Sequence, residues 1–186
     1  MANKIKFGIQ KAYFAKITAV ASDGTPTYAT PKAMPGAVSM SMSAEGENNP
    51  FYADNVIYFS SPSNNGYSGT LELALVDDEF RKDILGETLG TNGVQAEYAN
   101  VVPSEFALLF QFEGDAKATR HAFYRCTVTR PDVGSQTKQR SITPVTETLN
   151  IVAMPRLNDQ LVKSKAEEGA TAYANWYSAV TLPTSA

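Results

Sequence analysis

Apolar and polar residues alternate with a period of two along most of this chain, the signature of half-buried β-strands. Tyr13, Ala15 and Ile17 alternate with Phe14, Lys16 and Thr18. Val38, Met40 and Met42 alternate with Ser39, Ser41 and Ser43, and Asn55 to Ser61 forms another short run. Gly69 to Val76 places Leu71, Leu73 and Leu75 on one face and Thr70 and Glu72 on the other, with Ser68 just before them. Phe106, Leu108, Phe110 and Phe112 alternate up to the turn "EGDAK". Thr119 to Arg130 returns with Ala122, Tyr124, Cys126 and Val128 on one face, and Thr146 to Ala153 resumes the pattern. "SDGTPTY" and "SPSNNG" read as turns.

One stretch breaks the alternation. "DDEFRKDILG" offers Asp77 or Asp78 as N-cap, Phe80 and Ile84 four apart on one face, and Gly86 as a stop, so a helix is expected over about residues 78–85. A second short helix is expected around Lys163 to Glu168. Together these elements predict a mainly β protein, an antiparallel sandwich or barrel with one flanking helix.

At 186 residues the chain is expected to form a single domain, with residues 156–186 as a C-terminal extension. Nine Tyr and nine Phe agree with the β reading. The net charge of −3 argues against a dedicated nucleic-acid binder, which needs a basic excess to displace phosphate counterions. One cysteine, Cys126, excludes an internal disulfide. The N-terminus lacks the apolar stretch of a signal peptide, and no window is apolar enough to span a membrane, so synthesis and folding in a cytoplasm are expected.

Catalytic chemistry is hard to build from these residues. The single histidine, His121, lies mid-strand, and no nucleophile elbow, P-loop or dinucleotide fingerprint is present. Zinc needs three or four Cys and His ligands, and the chain has two such residues. The oxygen-rich loop from Glu45 to Asp54, which begins Glu45-Gly46-Glu47, fails the calcium-loop pattern D-x-[DN]-x-[DN]-G. No catalytic residue, metal ligand or cofactor is assigned.

Charge is sorted along the chain. From residue 33 to residue 80, 48 positions hold no Lys or Arg and seven acids, while the remainder carries all 16 basic residues. Inside this block Ser39, Ser41 and Ser43 on one strand, and Ser68, Thr70 and Glu72 on another, form faces that are small, hydroxyl-rich and free of cations. Solvent-facing sheets ordinarily display Lys, Glu or Arg, partly to discourage edge pairing.

Taken in order, several segments resemble the major tail (tail tube) proteins of siphophages infecting Gram-positive bacteria. They are "GIQKAYFAKIT", "PFYADNVIYF", "GTLELALVDDEFRKDILG", "FALLFQFEG…RHAFYRCTVTRPD" and "TKQRSITPVTETLNI", which span roughly Lys4 to Pro155. The resemblance implies a structural protein, not an enzyme. Six copies would form a ring and rings would stack into a tube, with inner sheets joined edge to edge around a lumen that passes double-stranded DNA. It also implies a tape-measure protein, a tail terminator and distal tail or baseplate proteins as partners, with assembly in the host cytoplasm and no membrane contact.

On this reading Ser39, Ser41, Ser43, Ser68, Thr70 and Glu72 are candidates for the lumen. Pro50, Phe51 and Tyr52, with the acids Glu45, Glu47 and Asp54, are candidates for an arm between subunits. The basic segment bearing Arg130, Lys138 and Arg140 would receive those acids. The alternative is a monomeric β-sandwich ligand- or carbohydrate-binding module of a phage particle, with Trp176, Tyr173 and Tyr177 as its aromatic platform.

Overall fold

The alternating segments pair into one large antiparallel sheet. The structure is a computed structural model and describes residues 5, 7–114, 117–137 and 144–184. In chain order the elements are β1 (Phe7–Val20), β2 (Pro26–Tyr28), β3 (Lys32–Ala33), β4 (Ala37–Glu45), β5 (Asn48–Ala53), β6 (Val56–Pro62) and β7 (Gly66–Leu73). A helix α1 (Asp78–Phe80) then runs directly into a π-helical turn (Arg81–Leu85). After it come β8 (Thr88–Leu89), β9 (Gln95–Ala96), β10 (Phe106–Glu113), β11 (Arg120–Val128), β12 (Glu147–Ala153) and β13 (Lys163–Ala166).

Seven strands follow the order β2-β1-β10-β11-β12-β7-β4, with β3 added on β1 and β13 on β11. The strand β4 lies back alongside β1 without a hydrogen-bonded ladder between them, so the sheet curls without closing into a barrel. Two small hairpins, β5–β6 and β8–β9, stand apart from it.

The main core fills the inside of the curl. Phe14, Leu71, Leu73, Phe106, Leu108, Phe110, Leu149 and Ile151 contribute from the strands, and Phe80, Ile84 and Leu85 close it from the helix. Phe80 meets Phe14 and Phe106 edge-on, at 5.1 and 5.5 Å between ring centroids, the geometry aromatic quadrupoles favour. Each such side chain, fully buried, contributes about 1.5–3 kcal/mol.

The expected helix is present over the expected residues. Asp77 occupies its N-cap without a side-chain hydrogen bond, and Gly86 ends it at φ +77°, in the left-handed region. Arg81 grips the Glu147 carboxylate at 2.7 and 2.9 Å, and Glu147 also accepts from the Val76 N–H at 2.7 Å. This fork ties the start of the helix to β12.

A smaller cluster lies on the outer face of β1, β10 and β11. Ala15, Ala107, Leu109, Ala122 and Tyr124 pack there beneath Trp176 from the C-terminal segment. The Trp176 indole N–H donates to the His121 carbonyl, and Arg120 is held over the rings of Tyr173 and Tyr177 at 3.7 and 4.7 Å.

Several strand expectations are corrected by local irregularities. The β10–β11 register shifts between the pairs Phe106–Cys126 and Leu108–Phe123. A bulge of this kind inverts the facing of everything beyond it. Ala122 and Tyr124 therefore lie in the outer cluster, while Cys126 and Val128 join Phe123 in the main core. A second shift, between Ala37 and Ser39, leaves Val38 51% exposed and turns Ala37 toward the core in its place. Leu75 follows the end of β7 and is exposed, and Val76 is buried instead.

The helix expected around Lys163 to Glu168 is also absent, because residues 163–166 form β13. They pair with Arg120–Phe123 at the end of β11 that β12 does not cover. Backbone groups there need partners, and that demand outweighs local helix propensity.

Candidate assembly surfaces

The serines and the second polar strand come together as neighbours. The ladder between β4 and β7 places Ser39 opposite Glu72, Ser41 opposite Thr70 and Ser43 opposite Ser68. The ladder between β7 and β12 extends each row, to Thr148, Asn150 and Val152 respectively. Leu71, Leu73, Leu149 and Ile151 point the other way, into the core. The result is a three-strand face of nine positions with one charge, Glu72, and no cation.

The β12 residues were missed in the sequence reading, although Thr148, Asn150 and Val152 alternate plainly with Leu149, Ile151 and Ala153. Only the pairing of β12 with β7 shows that they extend the same surface.

Glu72 is organised by hydroxyls. Thr146 donates to one carboxylate oxygen at 2.6 Å and Ser39 to the other at 2.7 Å, and together they hold the Glu72 carboxyl below its usual range. The carboxylate therefore stays ionised at neutral pH, and among the described residues it has no basic partner. At the far end of the face the Ser68 hydroxyl bonds Glu45.

Close contact between β4 and β7 depends on Gly69. A Cβ there would lie 1.9 Å from the Ser41 carbonyl oxygen. Beyond β4 the sheet stops: among the described residues nothing pairs with the outer edge of this strand. That edge carries serine and methionine where monomeric proteins usually place lysine or proline.

The segment after β4 is a hairpin arm. β5 and β6 pair through a turn at Asp54 and Asn55, whose φ values of +52° and +62° suit a tight two-residue connection. Along the arm Phe51, Tyr52, Val56, Ile57, Tyr58 and Phe59 are all exposed, Tyr58 to 74%. Phe51 lies directly opposite Phe59 and Tyr52 opposite Ile57. Pro50 lies opposite Ser60 on the same hairpin, also exposed. The arm is fastened at its root, where the Glu47 N–H donates to Ser63 Oγ at 2.9 Å and the Asn65 N–H to the Glu45 carbonyl at 2.8 Å. Sequence reading found one side of this arm, Pro50 to Tyr52, and took the apolar run Val56 to Phe59 for an ordinary strand.

The expected basic receiver falls only partly within the described residues. Arg130 pairs with Glu97 at 2.7 Å and reaches the Val101 carbonyl at 3.2 Å, both within its own subunit. Lys138 and Arg140 lie outside the described residues. The aromatic platform considered near the C-terminus is turned inward: Trp176 is 3% exposed, and Tyr177 stacks on Tyr13 at 4.5 Å. Among the described residues no group of three or more His, Cys, Asp or Glu could hold a metal ion, and no helix is long and apolar enough to cross a membrane.

A β-sheet body with an unpaired edge and an apolar arm that its own subunit leaves uncovered is built as a component of an assembly. Comparison with known proteins places it further. The family model described as phage tail tube protein matches residues 2–112, and the chain belongs to that family. It is a structural component of the phage tail, and hence of the virion. A search of the curated proteins finds no match. Nine chains of solved structures match. One is a chain in the cryo-EM structure of the anti-feeding prophage baseplate, at 11% identity and a TM-score of 0.44 over 91% of this chain and 99% of that one.

Proposed function

We propose that this protein is the major tube subunit of a siphophage tail, with six copies to a ring and rings stacked around a DNA-conducting lumen. The observation that carries the reading is the nine-position, hydroxyl-rich face, which borders the edge of β4 left unpaired among the described residues. Joining that edge to a neighbour's sheet satisfies its free backbone groups and continues the polar face around a ring.

Duplex DNA carries one charge per ~1.7 Å of axis. A cationic lining would hold it by counterion release. Ser39, Ser41, Ser43, Ser68 and Thr70 offer hydration without charge, and Glu72, repeated around the ring, adds weak repulsion. The genome then slides through a wet, mildly anionic bore during ejection. Tape-measure, terminator and distal tail proteins are the partners such a tube requires, and assembly takes place in the host cytoplasm.

The arm supplies the second contact. Its acids, Glu45, Glu47 and Asp54, set register against basic residues of a neighbouring copy, the segment from Arg130 through Lys138 and Arg140 among them.

Negative-stain microscopy with sedimentation of the purified full chain tests the reading. Rings or hollow tubes of uniform diameter are expected. A protein that stays monomeric at every concentration, or tubes in which labels at Ser41 and Thr70 lie on the outer wall, would overturn it.

A further inference from the structure

A cavity of about 330 Å³ opens where the main core reaches the end of the curled sheet, between β4 and β7 on one side and β10 and β11 on the other. Met42, Tyr67, Phe110, Phe112, His121 and Lys163 line it. Its floor is part of the hydrophobic core itself, since Phe110 and Phe123 are buried there while Met42, Tyr67 and Phe112 are only partly covered. His121 stacks on Phe110 at 5.2 Å with the rings 10° apart, and the Lys163 ammonium stands 4.3 Å above the Tyr67 ring. The volume falls at the low end of the range that holds small organic groups, about 300–1,000 Å³.

None of residues 48–62, the arm of the same chain, lines this cavity. The arm leaves the body beside it, however: Tyr67 borders both the cavity and the root of the arm at Glu45, Glu47 and Ser63. The two surfaces also match in chemistry. The arm presents six exposed apolar side chains and lies in a stretch of chain with acids and no base. The cavity is walled by aromatic rings and methionine thioethers, and β13 supplies exposed Lys163 at its rim, with exposed Lys165 two residues further along the same strand.

We propose that this cavity is the receptor for the arm of a second copy, with a ring from the Phe51, Tyr58 and Phe59 group seated against Met42, Phe112 and His121. The proposal rests on the assembly reading above and specifies its acceptor. Donor and acceptor are different patches of one chain, so the contact is head-to-tail and propagates from copy to copy, as a ring or a stack requires. Because each acceptor lies beside the root of its own arm, successive arms come to lie next to one another. Lys163 and Lys165 then face the arm acids, and charge at the rim of an interface sets encounter rate and register. The apolar seat removes aromatic surface from water on both sides.

Photo-crosslinking of the full chain tests this. Benzoylphenylalanine replaces Tyr58, an exposed position of the arm, and isotopically light and heavy protein are mixed before assembly and irradiation. Mass spectrometry is expected to find adducts between copies at Met42, Tyr67 or Phe112, with Lys163→Glu lowering their yield severalfold. Adducts between copies that fall elsewhere would overturn the cavity as acceptor and leave the assembly reading standing. Adducts confined to one chain, or protein that does not assemble, would overturn both.

Discussion

The Ser39 hydroxyl donates across the β4–β7 ladder to Glu72 at 2.7 Å, so an edge-strand serine orients the one carboxylate of the polar face. With Thr146 on its other oxygen, Glu72 has its folded pKa depressed below the ordinary value of 4.5. A depressed carboxylate contributes stability above its unfolded pKa and loses that contribution as pH falls through the folded value. Thermal melts of parent and Glu72→Gln between about pH 7 and about pH 3 are expected to converge on acidification, because only the parent loses this contribution. Parallel losses in the two proteins would show that these hydrogen bonds add nothing.

Gly69 sets how closely β4 can approach β7. Gly69→Ala puts a methyl carbon against the Ser41 carbonyl, and backbone cannot yield as a flexible side chain can. Urea unfolding is expected to show a loss of about 1–3 kcal/mol, the usual cost of overpacking. Assembly is expected to suffer further, since the displaced strand carries the free edge.

The arm lends little to the fold of its own subunit. Phe51→Ser combined with Phe59→Ser is expected to leave unfolding free energy within about 0.5 kcal/mol of the parent, as for exposed positions elsewhere. Sedimentation of the same protein is expected to show loss of rings and tubes. A large stability loss would mean that the arm folds back on its own body.

Charge on the arm is separable from its apolar contacts. Glu45→Lys with Glu47→Lys is expected to leave the subunit folded by circular dichroism while tube yield falls and becomes more sensitive to salt. Normal yield from this variant would remove the acids from the interface.

Trp176 pins the C-terminal segment over the outer cluster. Trp176→Ala is expected to cost about 3–5 kcal/mol in chemical denaturation, the range for deleting a buried aromatic. Proteolysis is expected to cut first within residues 167–184 of that variant. An unchanged unfolding curve would mean that the segment is held by Arg120 and the tyrosines alone.

Much of this protein was legible as a one-dimensional pattern. Period-two alternation located the long strands, the Asp77–Gly86 stretch located the helix, and the missing cations between residues 33 and 80 marked the polar face. These follow from local backbone geometry and from burial of one side of each strand. The ordered segments carried the family resemblance, which the match over residues 2–112 shows.

Other features were set by contacts between distant residues. The bulges at Val38 and in β11 change which side chains are buried, and periodicity cannot register an inserted residue until its partner strand is known. Lys163–Ala166 became a strand because the end of β11 lay unpaired, a requirement invisible in its own four residues. Likewise Val56 to Phe59 read as an ordinary short strand, and its exposure depends on the hairpin standing off the sheet. Alternation determines which residues can share a face. Strand pairing decides which faces meet, and that step turned two separate rows of serine and threonine into one continuous surface.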